Sequence, residues 1–156
     1  MKKYVWKDYD PDIMGFVEEW LDGEAVELTG LDEGWREFYE YWCGEDDFSL
    51  GENFFSKVVY EDEVPIAVIA FAIRDGAFNI MEIVVPCDLR GRGYGSGVLA
   101  ELLENGGAIC GTEVEKAEAV IFPDNVASQK AFTKAGFEFA RSHPDGDAWY
   151  YEYVRE

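Results

Sequence analysis

A strand, a glycine-rich turn and a helix follow one another between Phe78 and Leu103, and this order constrains the fold more than any other feature. The strand is mostly apolar, and the turn contains Arg90-Gly91-Arg92-Gly93-Tyr94-Gly95. Glycines let a ligand approach the backbone, and a helix that begins in such a turn directs free N–H groups and its positive dipole end at that ligand. The pattern therefore predicts an anion site, for which phosphate is the natural ligand.

The charge around this turn favours a ligand site over a turn that only permits close packing. Residues 89–100 contain no carboxylate, and Arg90 and Arg92 give them a charge of +2 in a chain whose formal net charge is −20. The GxGxxG register of a dinucleotide site and the GK[ST] ending of a P-loop are both absent. The turn therefore indicates a phosphate-bearing cofactor of another kind.

Two motifs, in this order, resemble those of the GCN5-related N-acetyltransferase (GNAT) family. The pattern Arg90-x-x-Gly93-x-Gly95, after a strand that ends with Ile83 and Val85, is similar to that family's acetyl-CoA signature. Downstream, Asn125-x-x-Ser128, Ala131-Phe132 and Ala135-Gly136-Phe137 are similar to its asparagine helix and closing strand. The tail, KAGFEF with a PDGD turn and an aromatic strand, also resembles the aminoglycoside 6'-N-acetyltransferase branch. The resemblance covers Val64 to Tyr151 well and the first 60 residues loosely.

The resemblance implies an α/β fold with a mixed antiparallel and parallel sheet of about six to seven strands flanked by about four helices, the GNAT (acyl-CoA N-acyltransferase) fold. Residues 1–156 are expected to form a single N-acetyltransferase domain. The predicted strands are Lys3–Lys7, Phe55–Tyr60, Ile66–Ile73, Phe78–Val85, Glu118–Phe122, Phe137–Arg141 and Trp149–Val154. We expect Glu118–Phe122 to return parallel to Phe78–Val85 across a helix.

Helix signals are present at four places. Asp10-Pro11 predicts the start of a first helix that reaches Gly23, and aromatic spacing predicts a second from Asp32 to Trp42. The helix after the glycine turn ends near residues 105–107 or continues to Cys110. A fourth is capped by Asp124 or Asn125 and ends at Gly136. Residues 44–51 are predicted to form an acidic loop.

Composition excludes several classes of protein. Cys43, Cys87 and Cys110 are widely spaced without a CxxC pair, and His143 is the single histidine, so no disulfide framework, metal site or hydrolase triad is indicated. The acidic balance argues against nucleic-acid binding, and no apolar run is long enough to span a membrane. We therefore expect a cytoplasmic protein, monomeric or homodimeric, with neither a nucleic-acid nor a membrane partner.

The resemblance implies acetyl-CoA as co-substrate and assigns residues to it. The pantetheine arm would pair with Ile83, Val84 and Val85, and the pyrophosphate would lie on the N–H groups of Arg90, Gly91, Arg92, Gly93, Tyr94, Gly95 and Ser96. Asn125 would hydrogen-bond the pantetheine amide, although it can equally be an N-cap. Residues 125–137 again lack carboxylates and contain Lys130 and Lys134, so Lys130 is expected to face the coenzyme, with Phe132 beside the pantetheine.

Catalytic groups are harder to assign, because two family positions hold residues that cannot do the chemistry. Phe132 stands where many members have a tyrosine acid, and Asn79 stands where many have a glutamate or histidine base. Tyr150 or Tyr151 is an alternative acid. Glu82 is the candidate base, although strand alternation predicts that it faces away from Asn79. A water relay to acidic residues of the first two helices is the other possibility.

Three functions remain open at this point. The first is acetylation of a small cationic amine, of polyamine or aminoglycoside type, by direct attack in a ternary complex. The second is acetylation of protein N-termini or lysines, and the third is a catalytically idle module that binds the coenzyme for regulation. Residues 1–60 have 16 acidic against 5 basic side chains, a net charge of −11, which favours a cationic acceptor.

Overall fold

The computed structural model describes residues 4–44 and 53–155, and these form one seven-stranded sheet with helices on both faces. The strands are β1 (Val5–Asp8), β2 (Phe54–Glu61), β3 (Val64–Arg74), β4 (Ala77–Val84), β5 (Lys116–Ile121), β6 (Glu138–Ser142) and β7 (Trp149–Val154), in the order β1-β2-β3-β4-β5-β7-β6. The α-helices are α1 (Gly23–Thr29), α2 (Trp35–Cys43), α3 (Tyr94–Cys110) and α4 (Val126–Ala135). Short 3-10 helices lie at Gly15–Trp20 and Cys87–Leu89.

β2, β3 and β4 form an antiparallel meander, because tight hairpins join them, and β1 pairs antiparallel with β2 from the far side of the helical segment. Asp75 and Gly76 both have positive φ, at 52° and 79°, and Asp62 and Glu63 do so at 50° and 68°. Such turns match the right-handed twist of the strands. β5 then pairs parallel to β4, after a crossover through α3. The predicted mixed sheet, the meander and the parallel return are therefore confirmed.

Each face of the sheet has its own core. On one face α3 and α4 cover a cluster that includes Phe71, Phe78 and Leu102. On the other face the Gly15–Trp20 segment, α1 and α2 cover a second cluster around Trp35. Trp35 is fully buried, and its indole N–H donates to the hydroxyl of the buried Ser56 at 3.0 Å. The aromatic spacing of the second predicted helix is thus core packing.

The predicted first helix is wrong. The Asp10 carboxylate accepts the N–H of Asp12 at 2.9 Å, so Asp10-Pro11 begins a turn rather than a helix. A 3-10 segment follows at Gly15–Trp20, and α1 begins only after Asp22, whose carboxylate accepts the N–H of Ala25 at 2.9 Å. The apolar residues before Asp22 have helical spacing, but the N-cap at Asp22 starts a separate helix instead of continuing the predicted one.

The other strands and helices begin or end within a few residues of their predicted bounds. β1 begins at Val5 and β5 at Lys116, and α3 continues to Cys110 with a non-helical residue at Asn105. Of the two proposed caps of α4, Asn125 is the one used, since its side chain accepts the N–H of Ser128 at 3.1 Å. The predicted acidic loop lies outside the described residues beyond Gly44. Among the described helices, none combines the length and apolarity needed to cross a bilayer.

Candidate active site

The parallel strands β4 and β5 separate before they end. Their register pairs Ala77 with Lys116 and ends at the pair Ile80–Ala119, yet β4 continues to Val84 and β5 to Ile121. A cavity of about 560 Å³ opens there. Its walls are the unpaired strand ends, the glycine turn, α4 and one side of α1. Backbone groups of both strands are thereby left available to an extended ligand.

The glycine turn closes one end of this cavity with unbonded donors. Gly91 and Gly93 have φ of 78° and 86°, conformations that favour glycine, and Gly93 is the N-cap of α3. The first helical hydrogen bond runs from Gly97 to Gly93 at 3.0 Å. In the described part of the chain, the N–H groups of Gly93, Gly95 and Ser96 have no protein acceptor. They form the anion cradle that the sequence predicts.

Two lysines of α4 give this end of the cavity its positive charge. Lys130 lines the cavity as expected. Lys134, which our site assignment omitted, also lines it, and its Nζ lies 3.7 Å from where a β-carbon on Gly93 would stand. The signal was present in the sequence, because Lys130 and Lys134 are four residues apart and share a helix face.

Arg90 and Arg92 depart from the expected contacts. The Arg90 guanidinium donates to the carbonyls of Val85 and Trp20 and to the Asp22 carboxylate. The backbone N–H of Arg90 donates to the carbonyl of Cys87 at 3.4 Å, so it is not a free donor of the cradle. Arg92 lies outside the lining of this cavity and borders a neighbouring groove along α3. All assigned coenzyme residues except Arg92 line the cavity, namely Ile83, Val84, Val85, Arg90, Gly91, Gly93, Tyr94, Gly95, Ser96, Asn125, Lys130 and Phe132.

Among the described residues, no aromatic side chain in the cavity places a free hydroxyl at the position of Phe132, where many family members have a tyrosine acid. Phe132 lines the cavity, is 4% exposed, and packs edge-to-face on Phe137 with ring centroids 4.9 Å apart. Tyr150 stacks near His143, and Tyr151 is buried in the sheet opposite Ala119, so neither lines the cavity. Their proposed role as alternative acids is therefore not supported by their positions. Tyr94 borders the cavity, but its hydroxyl donates to Glu61 at 2.8 Å.

Glu82 lies on the opposite face of the sheet from the one that alternation predicts. Ile80 pairs with Phe71 and Glu82 with Ala70, so Met81 is the extra residue of a β-bulge. Because paired residues share a face, Glu82 and Asn79 both lie on the face of α1 and α2. The expectation that they face apart is wrong.

The bulge places the Glu82 carboxylate in an unusual environment. The side chain is half-buried in the cavity wall, and burial raises its pKa to about 8. Ala25 and Thr29 of α1 line the same cavity. Glu82 is the only carboxylate among the lining residues in the described ranges, so the acidic residues of the first two helices do not form its wall there. No cluster of potential metal ligands occurs among the described residues.

A family model described as the acetyltransferase (GNAT) family matches residues 14–137. The chain belongs to this family. The enzyme class expected from the sequence, an acetyl-CoA-dependent N-acetyltransferase, is therefore confirmed, together with the fold.

Solved structures show the same fold at low sequence identity. The aminoglycoside acetyltransferase AAC(6')-Ib in complex with paromomycin and acetyl-CoA is 19% identical, with a TM-score of 0.76 over 98% of this chain and 94% of that one. Its complex with coenzyme A and kanamycin gives 0.75 at 19% identity, over 98% and 95%. A GNAT-family acetyltransferase from Streptococcus pneumoniae gives 0.66 at 15% identity, over 99% and 100%. No curated protein sequence matches the chain significantly.

Proposed function

We propose that this GNAT chain transfers the acetyl group of acetyl-CoA to a primary amine of a small cationic acceptor, by direct attack in a ternary complex. The observation that carries the proposal is the gap between β4 and β5, closed at one end by the unbonded N–H groups of Gly93, Gly95 and Ser96. An extended arm that ends in a phosphate fits this combination of free strand edges and anion cradle.

Different residues of the cavity would bind different parts of acetyl-CoA. The cradle binds the pyrophosphate, with Lys130 and Lys134 supplying positive charge. Ile83 to Val85 and Asn125 face the arm, and Asn125 can donate from its amide nitrogen while its oxygen caps α4. Bound acetyl-CoA supplies an activated acetyl thioester at the β4 end of the cavity.

Glu82 is our proposed general base. An ammonium ion has no free electron pair, so a group in the site must take a proton from the acceptor amine before or during attack. Glu82 reaches the cavity from the α1 and α2 face, and its pKa of about 8 makes it a stronger base than an ordinary carboxylate. The acceptor would therefore lie between Glu82 and the α1 residues Ala25 and Thr29.

Two observations support a cationic acceptor. The segment 1–60 carries a net charge of −11, which raises the local concentration of cations around the helices on this face. Solved structures with the same fold contain the aminoglycosides paromomycin and kanamycin.

An amine panel tests the proposal. Spermidine, kanamycin, a peptide with a free N-terminus and a lysine peptide are each offered with acetyl-CoA, and thiol release is measured, while calorimetry reports coenzyme A binding. We expect binding together with turnover on spermidine or kanamycin. Turnover only on a peptide would support protein acetylation. Binding without turnover would support the idle module, an outcome that the missing hydroxyl at Phe132 makes important to measure.

A further inference from the structure

The guanidinium of Arg90 links the end of β4 to the segment that precedes α1, which lies 68 to 70 residues away from Arg90 in sequence. Its Nε–H donates to the carbonyl of Val85, at the end of β4, at 2.9 Å. Its terminal nitrogens donate to the Asp22 carboxylate at 3.1 Å and to the carbonyl of Trp20 at 3.3 Å. The residue that opens the glycine turn is therefore fixed to the segment that precedes α1.

Asp22 has a second role at the same point. Its carboxylate is the N-cap of α1, where it accepts the N–H of Ala25 at 2.9 Å. That hydrogen bond, together with Arg90, lowers the pKa of Asp22, so the carboxylate is charged at neutral pH. Both ion-pair side chains are shielded, at 25% exposure for Arg90 and 34% for Asp22, which strengthens a charge-assisted contact relative to one in open solvent.

The position of α1 depends on such contacts. The helix has only seven residues, Gly23–Thr29, too few to be stable without tertiary support. It nevertheless supplies Ala25 and Thr29 to the cavity, on the same side as Glu82. A shift of α1 would change the wall against which the acceptor is expected to lie.

We propose that Arg90 is a positioning residue that transmits coenzyme binding at the glycine turn to α1 through its ion pair with Asp22. This inference rests on the proposed function. Phosphates held by Gly93, Gly95 and Ser96 order the turn, the ordered turn fixes the Arg90 guanidinium, and Arg90 fixes the start of α1. Because coupling between two sites is reciprocal, acceptor binding against α1 must also tighten coenzyme binding.

Hydrogen exchange with coenzyme A as the probe tests the inference without knowledge of the acceptor. In the wild-type chain, coenzyme A should slow amide exchange both in the turn and in α1, the latter by about fivefold or more, a typical size for coupling between sites. Asp22→Asn keeps an N-cap and removes the charge. In this variant we expect the turn to be protected as before and the response of α1 to be lost.

Two further variants sharpen the experiment. Arg90→Gln should abolish the α1 response as Asp22→Asn does, and the double variant should show no additional loss. Asp12→Asn is the matched control, because Asp12 is 81% exposed and contacts only Arg36 at 3.8 Å among the described ion pairs. It should respond like the wild type.

The outcomes separate the inference from the proposed function. If coenzyme A protects neither the turn nor α1 in the wild-type chain, the proposed coenzyme site is wrong. If the turn is protected and α1 responds equally in wild type, Asp22→Asn and Arg90→Gln, the ligand contacts α1 directly and the inference is overturned. A turn that is protected while wild-type α1 does not respond overturns it as well.

Discussion

Glu82 lies directly opposite Ala70 in the β3–β4 ladder, although two residues earlier Ile80 lies opposite Phe71. The extra residue, Met81, turns the only carboxylate found among the described lining residues toward the face where an acceptor can approach. A small neighbour such as Ala70 leaves room beside the Glu82 side chain. The bulge therefore decides whether Glu82, our proposed base, lies on the α1 and α2 face of the sheet.

The pH dependence of turnover should report Glu82. The group must lose its proton before it can accept one from the amine, so wild-type kcat/KM should rise with pH and level off above about 8. Glu82→Gln should lower kcat/KM by ~10² to 10⁴, because an amide cannot take the proton. If the variant keeps a rising limb with the same midpoint, the titrating group is the amine and Glu82 is not the base.

The same residue should make stability fall with pH. The carboxyl pKa is about 8 in the folded chain, against an ordinary value of 4.5 for a glutamate, so between these values the folded state holds a proton that the unfolded state lacks. The free energy of unfolding of wild type, minus that of Glu82→Gln, should therefore decrease over this range and be flat above it. Chemical denaturation at several pH values measures this difference in the free energy of unfolding. Glu138→Gln, at an exposed glutamate, is the control. A difference that is constant with pH would show that burial does not perturb Glu82.

Charge at the glycine turn should decide coenzyme binding. Asp and Asn both tolerate positive φ better than most side chains, so Gly93→Asp and Gly93→Asn impose similar strain and differ in charge. A carboxylate there would pair with Lys134 and repel the pyrophosphate. We expect coenzyme A to bind Gly93→Asp at least about tenfold more weakly than Gly93→Asn, about 1.4 kcal/mol by calorimetry. Equal affinities in two folded variants would place the phosphates elsewhere.

Phe132 is expected to be a packing residue beside the pantetheine. Phe132→Tyr keeps the ring and adds a donor near the expected position of the sulfur, so turnover should stay similar or increase. Phe132→Ala should chiefly weaken coenzyme binding, in addition to a loss of stability from the vacated space. Phe139→Tyr, at an exposed ring, is the control. A large fall in kcat for Phe132→Tyr with unchanged coenzyme affinity would mean that the site requires an apolar wall there.

Salt should weaken recognition of a cationic acceptor. Ions screen the field of the acidic segment 1–60, so kcat/KM for the best amine, measured at saturating acetyl-CoA, should fall as ionic strength rises. Saturation with the coenzyme removes the separate salt dependence of phosphate binding. A flat or rising profile would mean that the acidic charge does not recognise the acceptor.

Local features of the sequence were sufficient for much of the fold. Asp75-Gly76 specifies its hairpin because the two residues accept positive φ, and Asn125 and Gly136 bound α4 because one caps the N-terminus and the other takes φ of 112°. The glycine turn and the start of α3 follow from the same kind of short-range chemistry. Each of these signals acts within a few residues, so it can be recognised without knowing where the rest of the chain lies.

The tertiary structure decided what depends on distant partners. Alternation along β4 places Glu82 on the wrong face, because the bulge at Met81 exists only through the pairing with β3. Arg90 was expected to face phosphate, but its guanidinium bonds to Asp22, 68 residues away in sequence. The sequence by itself thus determined which backbone segments line the cavity that we propose for the coenzyme. Only packing between segments determined which side chains turn toward the acceptor, since those orientations are set by contacts that no local pattern encodes.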